Sequence, residues 1–190
     1  QMYSSTIIRE KKKGDTQQLF DFYVERGIEA VLENKYKLLL QLLGQAVADF
    51  NQVPVYEREY AKIGLVGGIF VKYNNYGQAH TTEWLREKGI EVVTPPIIDF
   101  FMQYFVNSKV NDKNGVSKTG RLAKLVSPVL WRYMNKRMGK VEAVMKNYRF
   151  HTPAESIYVK AEYASEVLDL SNQFGEGWMI AAEVACYSRS

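Results

Sequence analysis

The stretch IGLVGGIFV, Ile63 to Val71, is apolar, rich in β-branched residues, and bounded by Lys62 and Lys72. A continuous apolar run of this length predicts a strand buried on both faces, as the inner strands of parallel sheets are. A polar loop follows, Asn74 to Gln78. Thr81 to Lys88 then reads as a helix, with Gly89 in the usual position after a helix C-terminus. Ile90 to Thr94 is a second strand, stopped by Pro95 and Pro96. Together these predict a strand–loop–helix–strand unit with a right-handed crossover. The expected fold class is a helix-rich α/β fold with a Rossmann-like parallel sheet. Two strands are too few for a complete core. The rest of the sheet is expected from strands that the pattern hides or from chain outside these residues.

On the N-terminal side, residues 15 to 50 read as helical. Asp15 and Thr16 are placed to cap, and Gly27 to break or kink. Ile28, Val31, Leu32, Leu38, Leu39, Leu42, Leu43, Ala46, Val47 and Phe50 mark one buried face. Pro54 closes this segment. On the C-terminal side, Ile97 to Val106 is a strongly apolar helix, and 107–120 is a polar loop. Residues 121–148 are a helix kinked by Pro128, with Leu122, Leu125, Val129, Leu130 and Tyr133 inward. A further helix runs from Ala154 to Leu170, and the last begins at Trp178. The expected domains are an N-terminal helical segment, 1–58, and an α/β module, 59–190, carrying a helical insertion at about 121–148.

The composition excludes several classes. The chain has 190 residues, 46% hydrophobic and 24% charged, so it has the apolar content that disordered chains lack. Cys186 is the single cysteine, which excludes a disulfide scaffold and a Cys-rich metal cage built from this chain alone. The net charge of +4 is mild. Lys11 to Lys13 and the basic residues between Lys118 and Arg149 read as solvated helix faces. The aromatic residues recur at core spacings rather than on a basic platform, so nucleic acid is not an expected partner. No membrane span or secretory leader is evident, and a reducing cytoplasm is expected. The chain opens on Gln1 and closes in a helix without a stop signal, as an excised piece of a larger protein would.

Gly64, Gly67 and Gly68 form neither the dinucleotide fingerprint nor a P-loop. They suit a bulge or close backbone packing, or a ligand approaching the carboxyl end of the strand, where open α/β sheets place ligands. Lys72, Asn74, Asn75 and His80 follow in the loop, compatible with a phosphate, carboxylate or thioester and equally with a solvated turn. Gly175, Glu176, Gly177 and Trp178 open a helix whose free N–H groups suit an anion, unless Glu176 caps them itself. Glu183 lies two turns beyond Glu176 on the same face. The two acids suit proton transfer or plain ion pairing. His80, His151 and Cys186 have no metal-ligand spacing, and Cys186 reads as a buried, inert thiol. No complete catalytic constellation emerges.

Four stretches taken in order resemble the 2-hydroxyacyl-CoA dehydratase family, in its branch of large acyl-CoA dehydratase activase-related proteins. They are TIIREKKKGDT (6–16), KIGLVGGIFVKY (62–73), IEVVTPPIIDFFMQY (90–104) and NQFGEGWMIAAE (172–183). The resemblance implies anaerobic metabolism. An ATP-hydrolysing activator with a 4Fe–4S cluster passes a low-potential electron to a dehydratase, which removes water from a 2-hydroxyacyl-CoA by radical chemistry. This chain resembles the dehydratase-like module of the fused members, not their ATPase modules. Dehydratase or ATPase modules of the same system are then the implied partners, and a CoA thioester an implied ligand. Gly67, Gly68, Lys72, Asn74 and Asn75 would line the crevice, and Gly175, Glu176 and Trp178 would face the same end of the sheet. Two departures stand out. The family carries an acid where this chain has Gly68. Its cysteine-bearing segment lies beyond residue 190, so this chain alone is expected to hold no complete cluster and not to be catalytic. The competing readings are a scaffold docking a partner through the helices at 17–50 and 121–148, and a small-anion-binding module.

Overall fold

In the computed structural model, which describes residues 1–118 and 120–189, the chain is helix-rich, 63% helical, with one small parallel sheet of two strands. In order the elements are α1 (Met2–Ile7), α2 (Asp15–Leu32), α3 (Tyr36–Gln52), β1 (Lys62–Gly64), α4 (Ile69–Tyr73) and α5 (Thr81–Glu87). Then come β2 (Glu91–Val93), α6 (Ile98–Asn114), α7 (Arg121–Met145), α8 (Ile157–Ser165), a 3-10 turn (Phe174–Glu176) and α9 (Gly177–Tyr187). Among the described residues these two strands are too few for the expected Rossmann-like sheet. The expected loop at 107–120 is helical as far as Asn114.

The buried strand expected over residues 63–71 is corrected. Only Lys62–Gly64 is extended, and Lys62 and Ile63 are exposed, because β2 is the one strand paired with it. Gly67 adopts φ +142°, open to glycine alone, and Gly68 then caps α4. The apolar residues beyond them wind into a helix instead of continuing the strand. An apolar run reports burial tendency and does not by itself separate strand from helix. The rest of the unit stands: α5 ends at Glu87, Gly89 takes φ +72°, and β2 follows.

The residues gather into two compact units, each built from three stretches. The first comprises Gln1–Ile63, Glu83–Val93 and Asn135–Pro153. Its core joins Ala46, Val47 and Phe50 of α3 to Tyr148, with Leu19, Tyr23 and Val144 packed around them. α2 runs unbroken through Gly27; the chain turns instead at Asn34, with φ +56°. The cap of α2 comes from outside the helix, where the Glu10 carboxylate accepts from the N–H groups of Gly14 and Thr16 at 2.9 and 2.8 Å. That arrangement follows the attraction of helix N-termini for negative charge. Ile28, Val31 and Leu32, expected to be buried, are exposed.

A buried ion pair ties α1 to β2 in this unit. Arg9 donates to Glu91 Oε2 at 2.7 Å, and Ser5 Oγ donates to Glu91 Oε1 at 2.6 Å. The Arg9 guanidinium lies over the rings of both Tyr60 and Phe150, 4.7 Å from each centroid. Both carboxylate oxygens are thus satisfied, as a buried pair requires, and two rings lie against the cation.

The second unit comprises Gly64–Thr82, Thr94–Met134 and the residues from Ala154 on. α8 packs along α9, and α6 against α8. Gly115, at φ +67°, ends α6 with its N–H on the Asn111 carbonyl. The polar residues of α6 serve packing: Asn107 Oδ1 accepts from Trp178 Nε1 at 2.8 Å, and the Asn111 and Gln173 side chains bond to each other. Trp131 stands edge-on to both Phe105 and Tyr158. α7 departs most from expectation. None of its residues is buried, and Leu122, Leu125 and Val129, expected inward, are 75%, 74% and 69% exposed. Among the described residues no helix is long and apolar enough to cross a membrane.

Candidate functional site

Three residues singled out from the sequence meet in the second unit around Lys72. Gly68 caps α4, and the next N–H, that of Ile69, donates to Glu176 Oε1 at 2.7 Å. Glu176 holds φ +62°, which costs a non-glycine residue about 1–2 kcal/mol. Gly177 beside it admits no side chain, since a Cβ there would lie 2.8 Å from the Asn172 carbonyl oxygen. This sharp entry to α9 turns the Glu176 carboxylate toward α4. Lys72, on the last turn of α4, is buried and donates to Glu183 Oε1 of α9 at 2.5 Å. Its Nζ stands 3.8 Å from Glu176 Oε2. The two acids that the sequence places on one helical face therefore share one lysine.

A second buried pair, Lys160 of α8 with Asp99 of α6 at 2.5 Å, acts electrostatically on the first. Two lysines face three carboxylates here, so full ionisation would leave one negative charge in excess. Burial pushes the Glu183 carboxyl above its ordinary value, against the pull of Lys72 and Lys160. Glu183 Oε2 has no hydrogen-bond partner among the described residues, so a proton there breaks no bond. Tyr73 donates to the Pro95 carbonyl at 2.6 Å, and burial, with Glu183, Asp99 and Glu176 nearby, pushes its hydroxyl up to about 12. Burial also raises Tyr187, whose ring lies 2.3 Å from where a Cβ on Gly64 would sit. The arrangement can hold one proton between Glu183 and its surroundings and lock α4 to α9.

This state has a pH signature. Below the ordinary carboxylate range Glu183 is protonated folded and unfolded, and contributes no difference. As pH rises, the unfolded chain releases the proton first, so stability falls until the folded carboxyl also ionises. Urea midpoints of the wild type should therefore drop relative to those of Glu183→Gln as pH rises from about 4.5, and then run parallel. Parallel curves over the whole range would show that burial does not hold the proton.

The other expected site residues are placed differently. Lys72, expected in a loop, lies on α4 and is buried in its pair with Glu183. Asn74 Oδ1 accepts from the Gly77 N–H at 2.9 Å, and Asn75 Oδ1 from Gln78 Nε2, so both shape a turn. Gly67 and Gly175 serve positive-φ turns. Trp178 is fully buried. Asp99 and Lys160 were not foreseen, nor were Arg9 and Glu91 as a pair. Asp99 and Glu91 are single acids inside apolar stretches, and that was the available signal; Arg9 and Lys160 have charged neighbours and gave none. Concavities occur in the first unit. One of about 410 Å³ is lined by Arg9, Tyr56, Arg58, Arg149 and Phe150; one of about 310 Å³ by Phe20, Val24, Leu39, Leu42 and Leu43.

The iron–sulfur cluster implied by the resemblance needs several thiolates. This chain has Cys186 alone, whose thiol burial raises and so keeps protonated. Among the described residues no group of three or more His, Cys, Asp or Glu side chains could hold a metal ion. These residues do not fit such a cluster. The chain matches no family model, no curated protein and no solved structure.

Proposed function

We propose that the chain is the dehydratase-like module of an activase-related protein, and that it supports ATP-driven electron transfer to a 2-hydroxyacyl-CoA dehydratase system in the cytoplasm by docking and positioning rather than by catalysis. One observation supports this reading most. Three of the four stretches that carry the resemblance converge on one buried cluster, through Lys72 with Glu183, Ile69 with Glu176, and Tyr73 with Pro95. Residues far apart in the chain thus share one structural task. The charges of that cluster are used internally, which suits a rigid support. In this reading the 4Fe–4S cluster and ATP belong to other modules of the system.

Excess chain added to a reconstituted activator–dehydratase pair should slow ATP-dependent conversion of a 2-hydroxyacyl-CoA to the enoyl-CoA. ATP hydrolysis should stay unchanged, because the chain competes for docking and not for nucleotide. Undiminished dehydration at saturating chain, with no calorimetric binding to either protein, would overturn the reading. A stand-alone scaffold is the second reading, and the exposed apolar face of α7 favours it.

A further inference from the structure

We infer that two copies of this chain associate, with α2 of one packed on α7 of the other. On α2 the side chains of Phe20, Val24, Ile28 and Val31 follow the spacing i, i+4, i+8, i+11, and all are exposed. They lie about a quarter turn round the helix from the face that Thr16, Tyr23 and Ala30 turn inward, with Phe20 against the Tyr3 ring. Along one edge of this stripe run Asp21, Glu25 and Glu29, one acid per turn. On α7 the side chains of Leu122, Val126, Val129 and Tyr133 follow i, i+4, i+7, i+11 and are likewise exposed. Arg121 and Arg132 flank them, while Lys124 pairs with Asp112, and no acid stands between 121 and 134.

The two stripes match in length, about 16 Å each at 1.5 Å per residue. They match in character, since each offers branched and aromatic side chains to a partner helix. They are opposite in charge. α7 on a second α7 would set cation against cation, and α2 on a second α2 acid against acid, whereas α2 on α7 pairs them. Contiguous exposed apolar surface of this kind marks an interaction site. The contact joins two unlike surfaces, so it can repeat from one copy to the next.

Light scattering on the 190-residue chain tests this. The average mass should rise above 21.9 kDa with concentration, and the association should weaken with salt. One variant, Asp21→Lys with Glu25→Lys, makes the α2 edge basic. Another, Arg121→Glu with Arg132→Glu, makes the α7 edge acidic. All four residues are exposed, and circular dichroism checks that both variants fold. Each alone should associate about tenfold or more weakly than wild type. Mixed in equal amounts they should associate again, because both contacts then pair opposite charges. A wild type that stays monomeric at every concentration overturns the inference. So does a variant that associates as the wild type does, or a mixture that stays monomeric.

Discussion

Replacing Lys72 with methionine should lower stability by about 3–5 kcal/mol at neutral pH, the usual result of breaking a buried ion pair from one side. The reason is the pair of acids left behind. Glu183 loses its partner at 2.5 Å, and Glu176 loses the cation 3.8 Å away. Glu183 is buried and cannot turn to water. Protonation is the escape, and Glu183 is already biased toward it. The loss should therefore shrink in acid, where that proton is present in folded and unfolded chains alike. Lys72→Met combined with Glu183→Leu removes both charges and should recover much of the loss, because similar-volume apolar pairs replace buried ion pairs at little cost. Urea denaturation of the three proteins measures this. A single variant within about 1 kcal/mol of wild type would mean that the pair contributes no more than a surface contact.

Replacing Trp178 with alanine should cost about 3–5 kcal/mol by loss of burial and by the cavity left behind. The ring is fully buried near the start of α9, and its Nε1 donates to Asn107 at 2.8 Å. Trp178→Phe keeps most of the volume and loses the hydrogen bond, which predicts a smaller cost of about 1–3 kcal/mol, mainly from the unsatisfied Asn107. Thermal unfolding of the two variants gives the order. Equal losses would assign the effect to the hydrogen bond alone, and a loss below about 1 kcal/mol in Trp178→Ala would show that the site collapses around the gap.

Some local signals in the sequence held and others did not, since α2 runs through Gly27 and takes its cap from Glu10. Gly89 and the prolines at 95 and 96 marked the ends of α5 and β2 because their backbone preferences act at one position. The run from Ile63 to Val71 misled because apolar character is shared by strands and buried helices, and the glycine pair in its middle admits a break. The inward assignment of Leu122, Leu125 and Val129 misled for another reason. Amphipathicity shows that a face is apolar, and says nothing of whether something covers it. Lys72, Glu176 and Glu183 each stood out alone. Their meeting did not, since Lys72 and Glu183 are 111 residues apart and no local pattern encodes that distance.

The threefold make-up of the first unit bears on how the protein is made. Its last stretch, ending at Pro153, is synthesised roughly 90 residues after Ile63. At typical ribosomal speed that is a delay on the order of 10 s. During that interval α3 lacks Tyr148, and its Ala46, Val47 and Phe50 have no complete core to enter. A nascent chain held in this state offers greasy helices to chaperones or to its neighbours, so yield from rapid overexpression should depend on how quickly the ribosome reaches residue 153.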